Sequence, residues 1–208
     1  MKMQYLRAVL LILGIAGIVA YSLYPNEKNT ECFEPKPYPY EDAQIDGLAF
    51  KCILPAENAN CGMAFSFDDN KNWNLMDSFV LNLQSSDNFK ELIVQILTYD
   101  PDNRIKKPAL KELHLKPGSN RYSIPIEYFY TPDYWFEQQK ARNTHNARRF
   151  SSVMGLELYS GWKNPIDTPL ELKVESLCVE GFGNASFAIL VVYLAILIGI
   201  AISVRIRN

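Results

Sequence analysis

The sequence contains few of the residues and motifs on which enzymatic chemistry depends. Only two of its 208 residues are histidines, and it has no Gly-x-Ser-x-Gly, His-Glu-x-x-His or Cys-x-x-Cys motif. These motifs are typical of serine hydrolases, zinc peptidases and thiol redox proteins. A glycosidase would need two carboxylates across a cleft, and that pairing is not readable from one sequence. We therefore predict that the protein is not an enzyme and holds no catalytic cofactor.

Charged residues are absent from two long stretches, residues 8–23 and 187–204. The second stretch has eighteen residues and no proline, which is long enough for a transmembrane helix. The first stretch fits a transmembrane anchor, and it also fits a signal peptide with a cleavage site at residues 20–22. We favour the anchor, because the run is long for a signal peptide and Tyr21 is bulky. In both cases the residues between the two stretches are exported.

Basic residues alone flank these apolar stretches. Lys2 and Arg7 precede the first, and Arg205 and Arg207 follow the second. By the positive-inside rule, both termini would lie in the cytoplasm and the middle of the chain outside. The middle retains 17 basic against 23 acidic residues, a net charge near −6. This balance argues against a nucleic-acid partner and against docking onto anionic lipid headgroups.

Composition divides the chain into six predicted segments. The segment before the folded domain contains four prolines and no apolar period, which is typical of a semi-stiff tether. In the second apolar stretch Ala195, Gly199 and Ser203 recur every four residues, a small-xxx-small pattern that favours a homodimer. The segments are an anchor at 1–24, a tether at 25–42, a folded domain at 43–180, a hinge at 181–186, a transmembrane helix at 187–204 and a basic tail at 205–208.

Short runs of alternating apolar and polar residues recur through the folded domain. In the last run Leu170, Leu172 and Val174 alternate with charged residues, as in a half-buried strand. The helical signal is short, at residues 131–140, with Thr131 as the expected N-cap. The sequence therefore predicts an all-β, antiparallel sandwich of the jelly-roll type with about eight strands. The runs lie at residues 48–54, 61–67, 79–83, 92–99, 113–115, 122–126, 154–159 and 170–179.

All four cysteines lie in the exported part of the chain, where disulfides persist. If the turn after the first strand is centred on residues 56–57, Cys52 and Cys61 face each other across a hairpin. This register predicts a Cys52–Cys61 disulfide, and it leaves Cys32 and Cys178 as a second pair that would tie the tether to the last strand. The alternative is that one or both pairs stay reduced.

The order of strands and loops resembles a known family. A strand leads into an Asp-rich loop with Trp73, paired strands end at Tyr99 and Asp100, and an Asp-Tyr-Trp-Phe-Glu block follows at residues 133–137. Over residues 43–180 this is similar to the galactose-binding-like jelly roll of carbohydrate-binding modules. More narrowly, it resembles the extracytoplasmic sensor domains of bacterial diguanylate cyclases and histidine kinases. The resemblance implies a carbohydrate or small polar ligand.

Aromatic and polar side chains in predicted loops supply a candidate ligand site. Sugars stack on flat rings and hydrogen-bond to a few convergent polar groups. The alternative is that these rings fill the core, because large aromatics dominate protein cores. A further source of rings is the Tyr128-Phe129-Tyr130 cluster. The candidate residues are Trp73, Tyr99, Asp100, Arg104, Trp135, Glu137, Arg148 and Trp162.

Asp68 and Asp69 bring hard oxygen ligands together in one predicted loop, and such loops can hold a structural calcium ion. The alternative is an Asx-rich turn between two strands.

Two functions follow from these features. The first is a sensor in the bacterial inner membrane, with a periplasmic or extracellular domain that binds a carbohydrate or small polar ligand. Because the sequence continues only to Asn208, its signal would pass to a partner or to an effector domain that is missing. The second is an assembly subunit of an inner-membrane complex that uses the sandwich for protein contacts.

Overall fold

Two antiparallel sheets form the domain in the computed structural model of the protein. The structure describes residues 29–181 apart from 35, 58, 75, 101–102 and 143–149, together with residue 194. Residues 30–180 form one compact unit. The strands are β1 (Asn29–Phe33), β2 (Lys36–Glu41), β3 (Gln44–Asp46), β4 (Ala49–Ile53), β5 (Cys61–Lys71), β6 (Met76–Ser85), β7 (Glu91–Asp100), β8 (Ile105–His114), β9 (Gly118–Pro125), β10 (Val153–Ser160) and β11 (Pro169–Gly181).

The six-stranded sheet has the order β3-β4-β11-β6-β9, with β1 also paired to β11. The five-stranded sheet has the order β2-β5-β10-β7-β8. The inward-facing side chains of both sheets pack into one apolar core. In β11, Leu170, Leu172 and Val174 are buried, as the alternation predicted. Further along the strand the buried apolar residues are at odd-numbered positions, Leu177 and Val179. The predicted β-sandwich is confirmed, and each of the eight predicted runs overlaps a strand. The described chain has eleven strands, because β1, β2 and β3 add to the eight that were predicted.

The proline-rich residues predicted as a tether contribute two strands, β1 and β2. Pro37 and Pro39 lie in β2, at one edge of the five-stranded sheet. Prolines two residues apart point their nitrogens to the same side of a strand, and an edge strand needs hydrogen-bond donors on one side only. Because β2 pairs with β5 alone within the described sheet, these prolines cost it no ladder hydrogen bond. The predicted tether at residues 25–42 is therefore wrong for residues 29–33 and 36–41, which form strands β1 and β2.

The disulfide between Cys52 and Cys61 is present, but the hairpin that predicted it is not. Strand β4 pairs with β3 and β11, whereas β5 pairs with β2 and β10 in the other sheet. Both cysteines point into the core, so their bond connects the two sheets across it. Two inward-facing residues can be neighbours on paired strands of one sheet, or they can face each other from opposite sheets. The alternation in the sequence is the same in both arrangements, so it does not distinguish them.

The second predicted disulfide, between Cys32 and Cys178, is also present. It links β1 to β11 in the six-stranded sheet, across 146 residues of chain. The described residues contain no unpaired cysteine.

A single short α-helix in the described chain, α1 (Asp133–Gln138), occupies the predicted helical region. Its N-cap is Pro132, where Thr131 was predicted. The Thr131 hydroxyl instead donates a hydrogen bond of 2.7 Å to the carbonyl oxygen of Pro108. This contact anchors the start of α1 to β8. The hydroxyl that was expected to cap the helix therefore makes a tertiary hydrogen bond instead.

No helix in the described part of the chain has the length and apolar character needed to span a membrane. Apart from Leu194, both predicted membrane stretches lie outside those residues. The basic tail and the predicted packing residues Ala195, Gly199 and Ser203 lie outside them as well.

Candidate ligand-binding site

The face of the five-stranded sheet that points away from the core carries a group of tyrosines. In β5 and β10 the core receives Met63, Phe65, Leu156 and Leu158. Because successive side chains of a strand alternate between faces, the intervening residues point outward. We call this outer surface the tyrosine face. Its members are Tyr38 and Tyr40 of β2, Gln95 of β7, Glu157 and Tyr159 of β10, and Tyr130 and Tyr134 around the start of α1.

The strand register aligns these residues in rows across the sheet. A backbone bridge between Leu110 and Tyr130 extends the first row past β8. From Tyr38 to Tyr130 there are five strand spacings of about 4.8 Å, so the face is about 24 Å wide. The first row is Tyr38, Ala64, Glu157, Gln95 and Leu110. The second row is Tyr40, Gly62, Tyr159, Ile93 and Glu112.

An apolar patch lies at the centre of the tyrosine face. The rings of Tyr40 and Tyr159 stack with centroids 5.1 Å apart and an interplanar angle of 19°. They flank Gly62 of β5, and Tyr159, which is only 8% exposed, packs with the buried Ile93 and Leu110. The half-buried Tyr40 ring therefore supplies the accessible surface of the pair. A Cβ atom at Gly62 would collide with the carbonyl oxygen of Leu158 and the backbone of Tyr159. Glycine is therefore required here so that β5 and β10 can approach closely beneath the stacked rings.

Hydrogen bonds orient the polar groups of the face. The Tyr159 hydroxyl donates to Gln95 Oε1 at 3.2 Å, and Gln95 Nε2 donates to Glu157 Oε2 at 2.5 Å. At the far side, the Tyr130 hydroxyl donates to Glu112 Oε1 at 2.9 Å. The face therefore combines flat rings with carboxylate, amide and phenol groups in defined orientations.

Burial and neighbouring charges raise several pKa values on this face. Burial raises the pKa of Glu157, although the Gln95 hydrogen bond and the Lys106 charge act in the opposite direction. Burial likewise raises the pKa of Tyr159, with contributions from Tyr40 and other nearby tyrosines. Burial and the hydrogen bond to Glu112 raise the pKa of Tyr130 to about 12. The phenols therefore remain neutral hydrogen-bonding groups at physiological pH.

The substitution Glu112→Gln is expected to lower the pKa of Tyr130 from about 12 towards its ordinary value of 10.0. The carboxylate accepts the phenol hydrogen bond and repels the phenolate, so its removal favours ionisation. The shift can be measured by NMR titration of tyrosine ring signals, with Tyr130→Phe identifying the signal. The pKa of Tyr38 serves as a control, because neither Glu112 nor Tyr130 is among the groups that raise it. An unchanged Tyr130 pKa would contradict this assignment.

Among the predicted ligand-binding residues, Tyr99 alone joins the tyrosine face. It lies on β7 opposite Lys106, is 38% exposed, and stands four residues from Gln95 on the same face. Trp162 is 59% exposed in the connection from β10 to β11. Arg104 is exposed in the turn before β8. Arg148 lies outside the described residues.

Two predicted ligand-binding residues are buried and must be corrected. Trp73 is 1% exposed and packs in the core against Phe33, Phe67 and Phe79. Asp100 is 2% exposed and forms an ion pair of 3.4 Å with Lys107. A ligand on the surface reaches neither side chain. Large aromatic rings and paired carboxylates occur in cores as well as in sites, and their positions along the chain do not separate the two roles.

The two predicted residues of the helix, Trp135 and Glu137, lie on α1. The Trp135 ring is half-buried and packs edge-on against Phe136, with centroids 5.1 Å apart. Glu137 is exposed and lies with Asp133 and Lys140 at a separate shallow depression on the helix. The described contacts do not connect either residue to the central patch.

Sequence reasoning missed the tyrosines of β2 and the Gln95, Glu157 and Tyr159 group. The available signals were the Tyr-Pro-Tyr alternation at residues 38–40 and the Glu-x-Tyr alternation at residues 157–159. Both alternations are typical of a strand with one face outside the core. The prolines of the first alternation favour a tether over a strand when the sequence is considered alone.

The predicted metal ligands do not converge. Asp68 and Asp69 are exposed, successive residues of β5, so their side chains point to opposite faces of the sheet. The described residues contain no group of three or more His, Cys, Asp or Glu side chains that could hold a metal ion.

A concave region lies on the six-stranded sheet, between β3, β4 and β11 and the end of β6. It encloses about 550 Å³ and is crossed by the Lys51–Glu171 ion pair at 2.5 Å. Its lining includes one aromatic residue, Phe50, which is buried in the core. This region therefore lacks an exposed ring on which a sugar could stack.

The fold is similar to a family 11 carbohydrate-binding module from Clostridium thermocellum, solved with a β-1,3-1,4-mixed-linked tetrasaccharide. The TM-score is 0.51 at 10% identity, over 73% of this chain and 95% of that one. The domain has the β-sandwich fold of a carbohydrate-binding module. At this identity the likeness concerns the fold alone, and the jelly-roll expectation agrees with it.

Two other carbohydrate-binding modules have lower TM-scores. A family 30 module of a Clostridium thermocellum cellulase has a TM-score of 0.46 at 7% identity, over 76% of this chain and 91% of that one. The xylan-binding module CBM86 of Roseburia intestinalis has a TM-score of 0.40 at 10% identity, over 74% and 95% of the two chains. No protein-family model and no curated protein sequence matches this chain.

Proposed function

We propose that the domain binds a carbohydrate chain on the tyrosine face. The observation that supports this most directly is the half-buried Tyr40 ring, which stacks on the buried Tyr159 ring beside the hydrogen-bonded Gln95 and Glu157 side chains. Rings provide apolar platforms for the faces of sugar rings, and the amide and carboxylate groups can bind sugar hydroxyls. The face is wide enough for several sugar units. The carbohydrate-binding-module fold agrees with this proposal.

We infer that binding occurs outside the cytoplasm and without catalysis. The two disulfides are of the kind that forms in oxidising compartments. The apolar stretches at 8–23 and 187–204 are the proposed anchors in a bacterial inner membrane, with the domain in the periplasm or outside the cell. In this proposal, carbohydrate binding is reported across the membrane through a partner or an effector domain. The proposal of a non-catalytic role rests on the missing enzymatic motifs.

Calorimetric titration of the full-length protein in detergent can test carbohydrate binding. The mixed-linked tetrasaccharide and xylo-oligosaccharides are suitable first ligands. The substitution Tyr40→Ala is expected to weaken binding by about 2 kcal/mol, about 30-fold, because it removes half of the central stacked pair.

The control for this experiment is Tyr122→Ala, which truncates a half-buried tyrosine on β9 of the other sheet. It should leave the affinity unchanged as long as the protein is folded. Equal losses in the two variants would place the ligand elsewhere. If no oligosaccharide binds and the protein co-purifies in fixed ratio with other inner-membrane proteins, the assembly-subunit function replaces this proposal.

A further inference from the structure

Three side chains form a hydrogen-bond relay across the middle of the tyrosine face. The Tyr159 hydroxyl donates to Gln95 Oε1 at 3.2 Å, and Gln95 Nε2 donates to Glu157 Oε2 at 2.5 Å. Gln95 and Glu157 are direct partners in the pairing of β7 with β10. Tyr159 lies two residues further along β10, on the same face. The relay is therefore held by the sheet itself.

The charge of Glu157 determines the direction of this relay. An ionised carboxylate can only accept hydrogen bonds, so Gln95 must turn its amide nitrogen towards Glu157 and its oxygen towards Tyr159. The Tyr159 hydroxyl then donates its hydrogen bond to Gln95, and the phenol oxygen can accept a hydrogen bond from a ligand. If Glu157 takes up a proton, its hydroxyl can donate to Gln95 Oε1. The amide then donates to the Tyr159 oxygen, and the phenol proton becomes available to a ligand.

In the described part of the chain, few cationic groups offset the charge of Glu157. The positions of β5 that face it, Gly62, Ala64 and Ser66, carry no charge. Lys106 is the cation that acts on its carboxylate, and it lies beside Tyr99 at one end of the face. Burial raises the pKa of Glu157 in spite of this lysine. The titratable groups of the surrounding elements are Lys36, Tyr38, Tyr40 and Glu41 of β2, Tyr99 of β7, Lys106 and Glu112 of β8, Tyr159 of β10, and Tyr130 and Tyr134.

We propose that Glu157 is the specificity-determining residue of the tyrosine face: it selects neutral over acidic sugars, and it orients Gln95 and Tyr159 through the relay. This inference rests on the proposed carbohydrate binding. A half-buried carboxylate with little neighbouring positive charge repels a uronate that lies against it. The same carboxylate accepts charge-assisted hydrogen bonds from neutral sugar hydroxyls.

The binding test compares a xylo-oligosaccharide with the same oligosaccharide bearing one glucuronate. The wild-type protein is expected to prefer the neutral sugar, and Glu157→Gln is expected to reduce that preference about tenfold. The preference should also fall on acidification in the wild type and become independent of pH in Glu157→Gln. The matched control is Glu175→Gln, which changes a carboxylate that accepts the Ser119 hydroxyl on the other sheet. It should retain both the preference and its pH dependence.

A second measurement tests the relay without any ligand. In an NMR titration of the ligand-free full-length protein, the Gln95 side-chain amide signals should shift with the same midpoint as the Glu157 carboxyl signal. In Glu157→Gln these amide signals should not titrate. Gln95 amide signals that do not shift as Glu157 titrates would contradict the relay. An unchanged sugar preference in Glu157→Gln would overturn the specificity role, and absence of all sugar binding to the wild type would overturn the proposed function instead.

Folding of the variant can be checked separately. Because burial raises the pKa of Glu157, its ionised form opposes folding at neutral pH. The substitution Glu157→Gln is therefore expected to leave the protein at least as stable as the wild type at pH 7. The difference should shrink on acidification, as the wild-type carboxyl becomes protonated. Loss of sugar selectivity in a variant of undiminished stability would separate recognition from folding.

Discussion

Replacing Cys32 and Cys178 together by alanine is expected to lower the free energy of unfolding by about 5 kcal/mol. The bond spans 146 residues, so it restricts nearly the whole unfolded domain. In the chain-entropy description, the benefit of a cross-link grows with the logarithm of the loop that it closes. The effect should be measured by denaturant unfolding of the oxidised full-length protein and the double variant.

The second disulfide provides a matched comparison. The Cys52–Cys61 bond spans nine residues, and the same relation gives about 3 kcal/mol for its removal. Both pairs are native and both double variants remove two sulfur atoms, so the main difference is loop length. If the Cys52→Ala/Cys61→Ala variant proves less stable than the Cys32→Ala/Cys178→Ala variant, the sheet-to-sheet bond contributes more than chain entropy explains.

The substitution Trp73→Ala is expected to cost about 3–5 kcal/mol of stability. The indole ring is 1% exposed and contacts the rings of Phe33, Phe67 and Phe79, with centroids 5.6 to 5.9 Å apart. Its removal would leave a cavity among rings that the strand backbones hold in place. Denaturant unfolding measures the loss, and sugar binding by the folded fraction should be unchanged.

Two further substitutions sharpen this result. The indole nitrogen of Trp73 has no hydrogen-bond partner among the described residues, so Trp73→Phe removes a buried donor while it keeps an aromatic ring. We expect this change to cost far less than alanine. The exposed Trp162 is the control, because Trp162→Ala should alter stability by no more than about 0.5 kcal/mol. A tolerated Trp73→Ala variant with impaired sugar binding would restore Trp73 to the ligand site.

The sequence determined the class of the fold because strand alternation is a local property. Residues such as Leu170, Leu172 and Val174 recur every second position, and this period identifies a half-buried strand without knowledge of its neighbours. The same property located all eight runs and implied a two-layer β structure. Four cysteines allow only a few disulfide pairings, and the predicted pairing is correct.

Tertiary structure alone decided which strands pair and therefore which side chains meet. The Cys52–Cys61 disulfide connects the two sheets, because β4 belongs to one sheet and β5 to the other. Pro37 and Pro39 belong to a strand because β2 lies at an edge, a position that no local pattern reveals. The proposed ligand site depends on the same long-range pairing. Tyr40 and Tyr159 are more than a hundred residues apart in sequence, and only the shared contact of β2 and β10 with β5 brings their rings together.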